Sequence, residues 1–306
     1  MILAPMQGLT EVLFRKVYYT VFPKGFDLAI SPFISLTHGN LSDALKKIDD
    51  VLPEINRESI PVIPQILGKE PEEFVALANR LYEVGYQEVN WNIGCPMRKV
   101  AGKHRGSGIL PYPDEVKMIL DAIIPHLKPR LSIKMRLGYR NPDEVFNLIP
   151  ILNDYPLLNI TIHPRIGKQM YGGWPDMDRF EKALHLIHHP VIYNGDITTA
   201  EKYHSLKQQF PQVEDFMIGR GVLYDPLLTY KIKGIPCDDS MTKEFINRLF
   251  DAILTLPIPD EKKARKIKEY WCLLFRSIHI TEQQRDMLLH ESELPKIVAA
   301  ADSFLE

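Results

Sequence analysis

Several residues of this 306-residue chain have the types and spacings that chemistry needs. The segment Asn92-Ile93-Gly94-Cys95-Pro96-Met97 sets a thiol between a glycine and a proline, which fix the backbone around it. An ordinary thiol, with a pKa near about 8.5, is mostly protonated at neutral pH and can donate a proton. With a lowered pKa it is a nucleophile instead. The bland alternative is a buried structural cysteine. A turn just past a strand is a poor place for one, so Cys95 is read as catalytic. Lys134 and Arg136 alternate with Ile133, Met135 and Leu137, so in a strand they share a face. Lys134 keeps two readings: a Schiff-base lysine, or a fixed cation against an anionic ring or phosphate. The runs Tyr193-Asn194-Gly195-Asp196-Ile197 and Met217-Ile218-Gly219-Arg220-Gly221 carry glycines that let the backbone approach a ligand closely. Arg220 adds charge-assisted bonds, which together suit a phosphate. Cys237 and Cys272 form no CxxC pair with each other or with Cys95, so no metal centre is expected. Both are read as structural, Cys272 on an apolar helix face.

These residues need elements to hold them. Short apolar runs recur at 2–6, 26–33, 61–67, 88–94, 131–137, 159–164, 190–196 and 215–221, each closed by Gly, Pro, Asn or Asp. Helical spacing fills most intervals, as in 71–85, where Phe74, Leu77, Ala78, Leu81 and Val84 share a face, and in 113–127. Alternating strands and helices imply a parallel sheet. Eight strands apolar on both faces imply a (β/α)8 TIM barrel rather than an open sheet. After about residue 235, GIPCDDSMTK reads as a linker and three helical stretches follow, the last covering 281–305. The expected organisation is a barrel over 1–235 and a small helical domain over 240–306. In such a barrel chemistry sits at the carboxyl ends of the strands. Seven of the eight ends carry polar or reactive groups, including Gln65, His163 with Arg165, and the residues above, so an active site is expected there.

Composition limits the classes. With 45% hydrophobic and 25% charged residues and a net charge of -2, the chain is an ordinary globular protein and not a disordered one. No apolar run reaches the ~18 residues of a membrane span. The segment MILAPMQGLTEVLF lacks a basic n-region and a small-residue cleavage site, so no signal peptide is expected. Three cysteines and no leader fit a reducing cytoplasm. Near-neutral charge does not announce a nucleic-acid protein, and it leaves room for a local basic patch.

Taken in order, APMQGLT (4–10), PQILG (64–68), NIGCPMRKV (92–100), IKMRLG (133–138), IHPRIGKQMYGG (162–173), YNGDI (193–197) and MIGRG (217–221) resemble the tRNA-dihydrouridine synthase family. The resemblance implies an FMN-binding barrel with a helical tRNA-binding domain, a monomer, and NADPH as reductant. It places Pro5 and Met6 along the flavin ring, and Gln65 and Lys134 at its polar edge. His163 falls between the flavin and its phosphate side. Asn194, Gly195, Asp196, Gly219 and Arg220 are set at the ribityl chain and phosphate. Asn92, Arg136 and Tyr171 face the target uracil. It implies hydride transfer from flavin N5 to uracil C6, protonation of C5 by Cys95, and a D-loop uridine as target. A dihydroorotate dehydrogenase-like oxidoreductase of a free pyrimidine, a flavin-free lyase using Lys134 and a non-enzymatic RNA-binding protein are the competing readings.

Lys262, Lys263, Arg265, Lys266 and Lys268 cluster on one predicted helix whose core face is Ala264, Ile267, Trp271 and Leu274. Cations near a helix N-terminus oppose the macrodipole, so RNA phosphates are the expected partners of this cluster. Three departures from the family pattern stand out. Lys103-His104-Arg105 interrupts a run of small residues, with RNA contact as one reading; Pro164 stands where a Gly is usual, and Ile166 where a Thr is usual.

Overall fold

The computed structural model describes residues 1–36, 44–45, 48–278 and 280–305. Its strands are β1 (Ile2–Leu3), β2 (Leu28–Ile30), β3 (Ile34–Ser35), β4 (Val62–Ile63), β5 (Gln65–Leu67), β6 (Glu88–Ile93), β7 (Arg130–Gly138), β8 (Ile160–Ile166), β9 (Val191–Asn194) and β10 (Asp215–Ile218). All pairings are parallel, in the order β3-β5-β6-β7-β8-β9-β10-β1-β2-β4. Ten strands stand where eight apolar runs are read because prolines interrupt two of them. Pro32 separates β2 from β3, and Pro64 separates β4 from β5; proline has no N–H for a ladder bond. The ring closes through this third run, since β4 pairs with β2 while β5 pairs with β6. The result is the TIM-barrel-like α/β fold that the pattern predicts.

The outer helices form where the 3.6-residue period runs. The Pro71–Glu83 helix starts on a proline, carries Glu72 and Glu73 in its first turn and buries Phe74, Leu77, Ala78 and Leu81. The Pro113–Ile123 helix repeats this with Val116, Ile119, Leu120 and Ile123. Inside the barrel the floor is polar. Gln65 Nε2 donates to Asn90 Oδ1 at 2.8 Å, and Asn90 Nδ2 donates to Ser132 Oγ at 2.9 Å, with all three residues fully buried. Each polar atom needs such a partner there, because an unmatched one costs about 1–3 kcal/mol.

The carboxyl-terminal helices are Asp239–Leu254, Asp260–Leu274, Glu282–His290 and Leu294–Leu305. Two expectations change here. The Asp239–Leu254 helix begins inside the stretch read as a linker, because Asp238 caps it, its carboxylate accepting from Ser240 N. The stretch 281–305 is two helices, broken after His290 at Ser292-Glu293-Leu294-Pro295, where Pro suits a first turn but not a helix interior. These helices share the barrel's apolar core. Phe14 of the Val12–Val21 helix stacks on Tyr270 at 6.1 Å and meets Phe245 edge-on at 5.6 Å. The Tyr270 hydroxyl donates to Leu9 O, and Lys266 Nζ donates to Gly8 O at 2.9 Å and pairs with Glu11 at 2.8 Å. The helix thereby grips the 4–11 turn at the end of β1. Among the described residues, no helix is long and apolar enough to cross a membrane.

Candidate active site

A cavity of about 380 Å³ opens at the carboxyl ends of the strands. Its wall includes Pro5 and Met6 after β1, Asn92 near the end of β6, Gly94 to Met97 after it, Lys134 and Arg136 on β7, and His163 on β8. Tyr171, Asn194 to Thr198, Gly219 to Gly221, and Leu273 from the Asp260–Leu274 helix complete it. The size lies within the ~300–1,000 Å³ range of small-molecule sites.

Each side chain is placed by its strand. In β7 the alternation sends Ile133, Met135 and Leu137 into the core and Lys134 with Arg136 into the cavity. Arg136 is nearly fully buried. Its Nε donates to Gly94 O at 3.1 Å, and its Nη1 to Ile166 O at 3.0 Å and Met170 O at 2.7 Å, which ties the Cys95 turn to the loop after β8. Burial lowers its pKa to about 10, still charged at neutral pH. Lys134 Nζ has no hydrogen-bond or ion-pair partner among the described residues. Burial, then the charge of Arg136, lowers its pKa to about 7.

The Cys95 turn is built by Asn92. Its Oδ1 accepts from Gly94 N at 3.0 Å and Cys95 N at 2.9 Å, and its Nδ2 donates to Gln65 Oε1 at 2.7 Å. The Cys95 carbonyl accepts from Ser107 N and Oγ. Gly106, at φ +53, leaves room for that carbonyl, which an added Cβ would meet at 2.6 Å. Burial raises the Cys95 pKa above the ordinary thiol value, outweighing the opposing effects of Arg136 and Lys134. The group is therefore a protonated thiol at neutral pH, an acid rather than a thiolate.

His163 is held neutral, its pKa pushed well down by burial and by the charges of Arg136, Lys134, Arg165 and Arg220. Arg165 Nη1 lies 3.1 Å from His163 Nε2. Since the guanidinium can only donate, Nε2 accepts and the ring proton sits on Nδ1. Arg165 also binds Asp196 through both terminal nitrogens, Nη1 to Oδ1 at 2.9 Å and Nη2 to Oδ2. The Arg220 Nη2 to Asp196 Oδ1 distance is 2.8 Å. Burial works against the Asp196 carboxylate, but the hydrogen bonds and charges of Arg165 and Arg220 overcome it and hold the pKa low. Asp196 sits at φ 44, a left-handed conformation that Asp tolerates better than most residues. Next to it, a Cβ on Gly195 would lie 3.1 Å from the Tyr193 hydroxyl and 3.5 Å from His163 Cδ2.

The structure brings together Cys95, Pro5, Met6, Lys134, His163, Asn194, Gly195, Asp196, Gly219, Arg220, Asn92, Arg136 and Tyr171 as walls of one cavity. It sets Gln65 one layer deeper, fully buried beneath Asn92 and off the cavity wall. The basic cluster divides. Lys266 is spent on Gly8 and Glu11, Lys268 Nζ donates to Leu289 O, and Lys263 packs near Asp260 at 3.5 Å. Asp260 and Glu261 in the first turn compensate the macrodipole that the cations oppose. Lys262 and Arg265 remain exposed. His104 stacks on Tyr112 at 4.1 Å and meets Glu115, while Arg105 is buried against Glu70 at 2.7 Å, so both serve the fold. Cys272 is exposed, not on the buried helix face. The sequence places Arg165 with His163 at a strand end but assigns it no particular role. The signal was there: it stands two residues after His163, on the same face of β8.

A parallel β/α ring whose strand ends enclose a cation-rich cavity with a buried acid is the architecture of a barrel enzyme. Solved structures with this fold include the old yellow enzyme homologue of Zymomonas mobilis (TM-score 0.56, 11% identity, 80% of this chain and 91% of that one). Morphinone reductase is a second (TM-score 0.55, 13% identity, 79% and 88%). The dihydrouridine synthase (Dus) family model matches residues 2–252. The tRNA-dihydrouridine synthase B of Pasteurella multocida is 30% identical over 79% of this chain and 71% of its own. A probable tRNA-dihydrouridine synthase of Staphylococcus aureus is 24% identical over 99% and 92%. The chain belongs to the dihydrouridine synthase family and is an oxidoreductase.

Proposed function

We propose that this protein reduces a D-loop uridine of tRNA to 5,6-dihydrouridine, with FMN seated in the cavity and NADPH as reductant. The observation that carries the reading is a buried, protonated Cys95 thiol on the wall of a cavity rich in cations and cradled by glycines. The residues fit FMN. One carboxylate, Asp196, stands among Lys134, Arg136, Arg165 and Arg220, so the site favours an anion. Lys134 Nζ, without a partner among the described residues, is free to donate to a ligand atom. Gly195 and Gly219 leave the backbone bare where a ribityl phosphate would lie beside Asn194 and Arg220. Pro5 and Met6 offer an apolar wall, and His163 offers its Nδ1 proton.

Held among Lys134, His163, Asn194 and Arg220, FMN would supply hydride chemistry for reduction at C6 of the uracil, with NADPH as the source of electrons. Cys95 Sγ holds the proton that C5 takes. Asn92, oriented by Gln65, fixes the turn that presents this thiol. Arg136 is locked by three carbonyls and leaves Nη2 without a partner among the described residues, available to a uracil oxygen. Charge developing on that oxygen is stabilised by a donor already in place, which needs no reorganisation. The target base must leave its stack, which costs a few kcal/mol. Contacts to the rest of the tRNA, with Lys262 and Arg265 as the exposed members of the basic helix, offset that cost.

The test uses purified protein, NADPH and tRNA lacking dihydrouridine. The expected result is a yellow protein and a mass gain of two hydrogens at one uridine. Turnover of a free pyrimidine with no product in tRNA would overturn the proposal.

A further inference from the structure

The loop after β8 is fixed to an unusual degree for a segment that exposes large apolar groups. Arg136 donates to Ile166 O and Met170 O, Arg165 Nε to Gly172 O at 3.1 Å, and Arg165 Nη2 to Gly173 O at 2.7 Å. Gln169 Nε2 donates to Trp174 O at 3.1 Å. Two nearly fully buried guanidiniums thus hold a loop that presents Met170, Tyr171 and Trp174 to solvent. Trp174 is 86% exposed, whereas Trp91 and Trp271, the other two tryptophans, are fully buried. Tyr171 belongs to the cavity wall, with Arg220 4.7 Å and Arg136 5.5 Å from its ring centre. Trp174 lies three residues further on and outside the cavity lining.

Charge completes the surface. Lys168 Nζ lies 5.8 Å from the centre of the Tyr139 ring, and Arg140 lies 6.0 Å from it. Lys168 N donates to Tyr139 O at 2.9 Å, joining the loops after β7 and β8. Both cations are exposed, and neither has a carboxylate partner among the described residues. An exposed indole on a braced loop that also carries Lys168, and that is joined through Lys168 N to the loop of Arg140, matches a stacked base with its phosphates. Aromatic rings interleaved with positive charge are the combination that grips single-stranded nucleic acid.

We propose that Trp174 is the stacking platform for a nucleotide adjoining the uridine in the cavity, and that Lys168 and Arg140 take its phosphates. This rests on the tRNA reading above and adds the residues that hold the flanking strand. Stacking on an aromatic ring is tolerant of base identity, so the platform grips the strand without choosing the site.

The experiment uses the FMN-loaded full chain with labelled tRNA, a five-nucleotide RNA with a central uridine, and free UMP. Trp174→Ala should weaken tRNA and the short RNA by about 10- to 100-fold. Trp174→Phe should retain most of the affinity. UMP binding should not change with either variant. In the parent protein, tRNA should shield the exposed tryptophan from iodide quenching. The pair Lys168→Ala and Arg140→Ala should make the salt dependence shallower by about one phosphate each. Unchanged RNA affinity in Trp174→Ala, or undiminished quenching in the complex, overturns the proposal while the tRNA reading stands. Equal loss of UMP and RNA affinity also overturns it, by making Trp174 part of the cavity. Parent protein that binds no tRNA removes both readings.

Discussion

Replacing Cys95 by alanine isolates the proton transfer. Most of the turn is held through the Cys95 backbone, since Asn92 Oδ1 accepts from Cys95 N and Ser107 donates to Cys95 O, while the thiol itself accepts from the Met97 backbone. The Asn92 and Ser107 bonds are to the backbone and survive in Cys95→Ala, so the fold and the FMN spectrum should be those of the parent. What is lost is the acid. A positioned general acid contributes typically about 10²–10⁴-fold, or about 3–5 kcal/mol of barrier at about 1.4 kcal/mol per tenfold. The assay splits the cycle. Flavin reduction by NADPH should proceed at the parent rate, and oxidation of the reduced enzyme by tRNA in single turnover should fall by about 10²–10⁴-fold. The pH profile adds a sign. Burial stabilises the protonated thiol, so the tRNA step should stay flat through neutrality and decline only above the ~8.5 of an ordinary thiol. For the same reason, iodoacetamide should label Cys95 slowly at pH 7. A Cys95→Ala enzyme that oxidises with tRNA at the parent rate would refute the assignment of the proton donor. A decline centred below pH 7 that persists in Lys134→Met, which removes the other group titrating in that range, would refute the argument from burial.

Three other outcomes are expected. Arg165→Met removes one of the two arginine partners of Asp196 and the donors to the Gly172 and Gly173 carbonyls; losing hydrogen bonds to a charged group costs about 1.5–3 kcal/mol. Thermal melting should show that loss and titration a weaker FMN affinity, and an unchanged melt would count against the brace. Gly221→Ala sets a Cβ 2.0 Å from Ile197 O, so backbone must shift, at about 1–3 kcal/mol, measurable by denaturant unfolding. Reversing the charge of Lys262 and Arg265 together should weaken tRNA binding and reduce the slope of log affinity against log salt, whereas Lys266→Ala should lower the melting temperature, because it anchors Gly8 and Glu11.

How much was legible before folding depends on whether a signal is periodic or assembled. The barrel was, because each strand is an apolar run of fixed length closed by a turn residue, and the helices between them keep a 3.6-residue period. Part of the cavity wall was too, since strand alternation alone puts Lys134 and Arg136 on one face. The site's departures come from partners far apart in the chain. Gln65 sinks beneath Asn92 because Asn90 and Asn92 offer it hydrogen bonds inside the barrel. Lys266 and Lys268 look like free cations until the helix lands beside Glu11 and Leu289.

The alternation of strands and helices and the shared face of Lys134 and Arg136 are thus properties of the sequence, because they follow from local geometry and residue chemistry. The protonation of Cys95 and His163, the weakened basicity of Lys134 and the joining of Asp196 to two arginines belong to the tertiary structure alone. Burial and through-space charge set them, and neither exists until the ring closes.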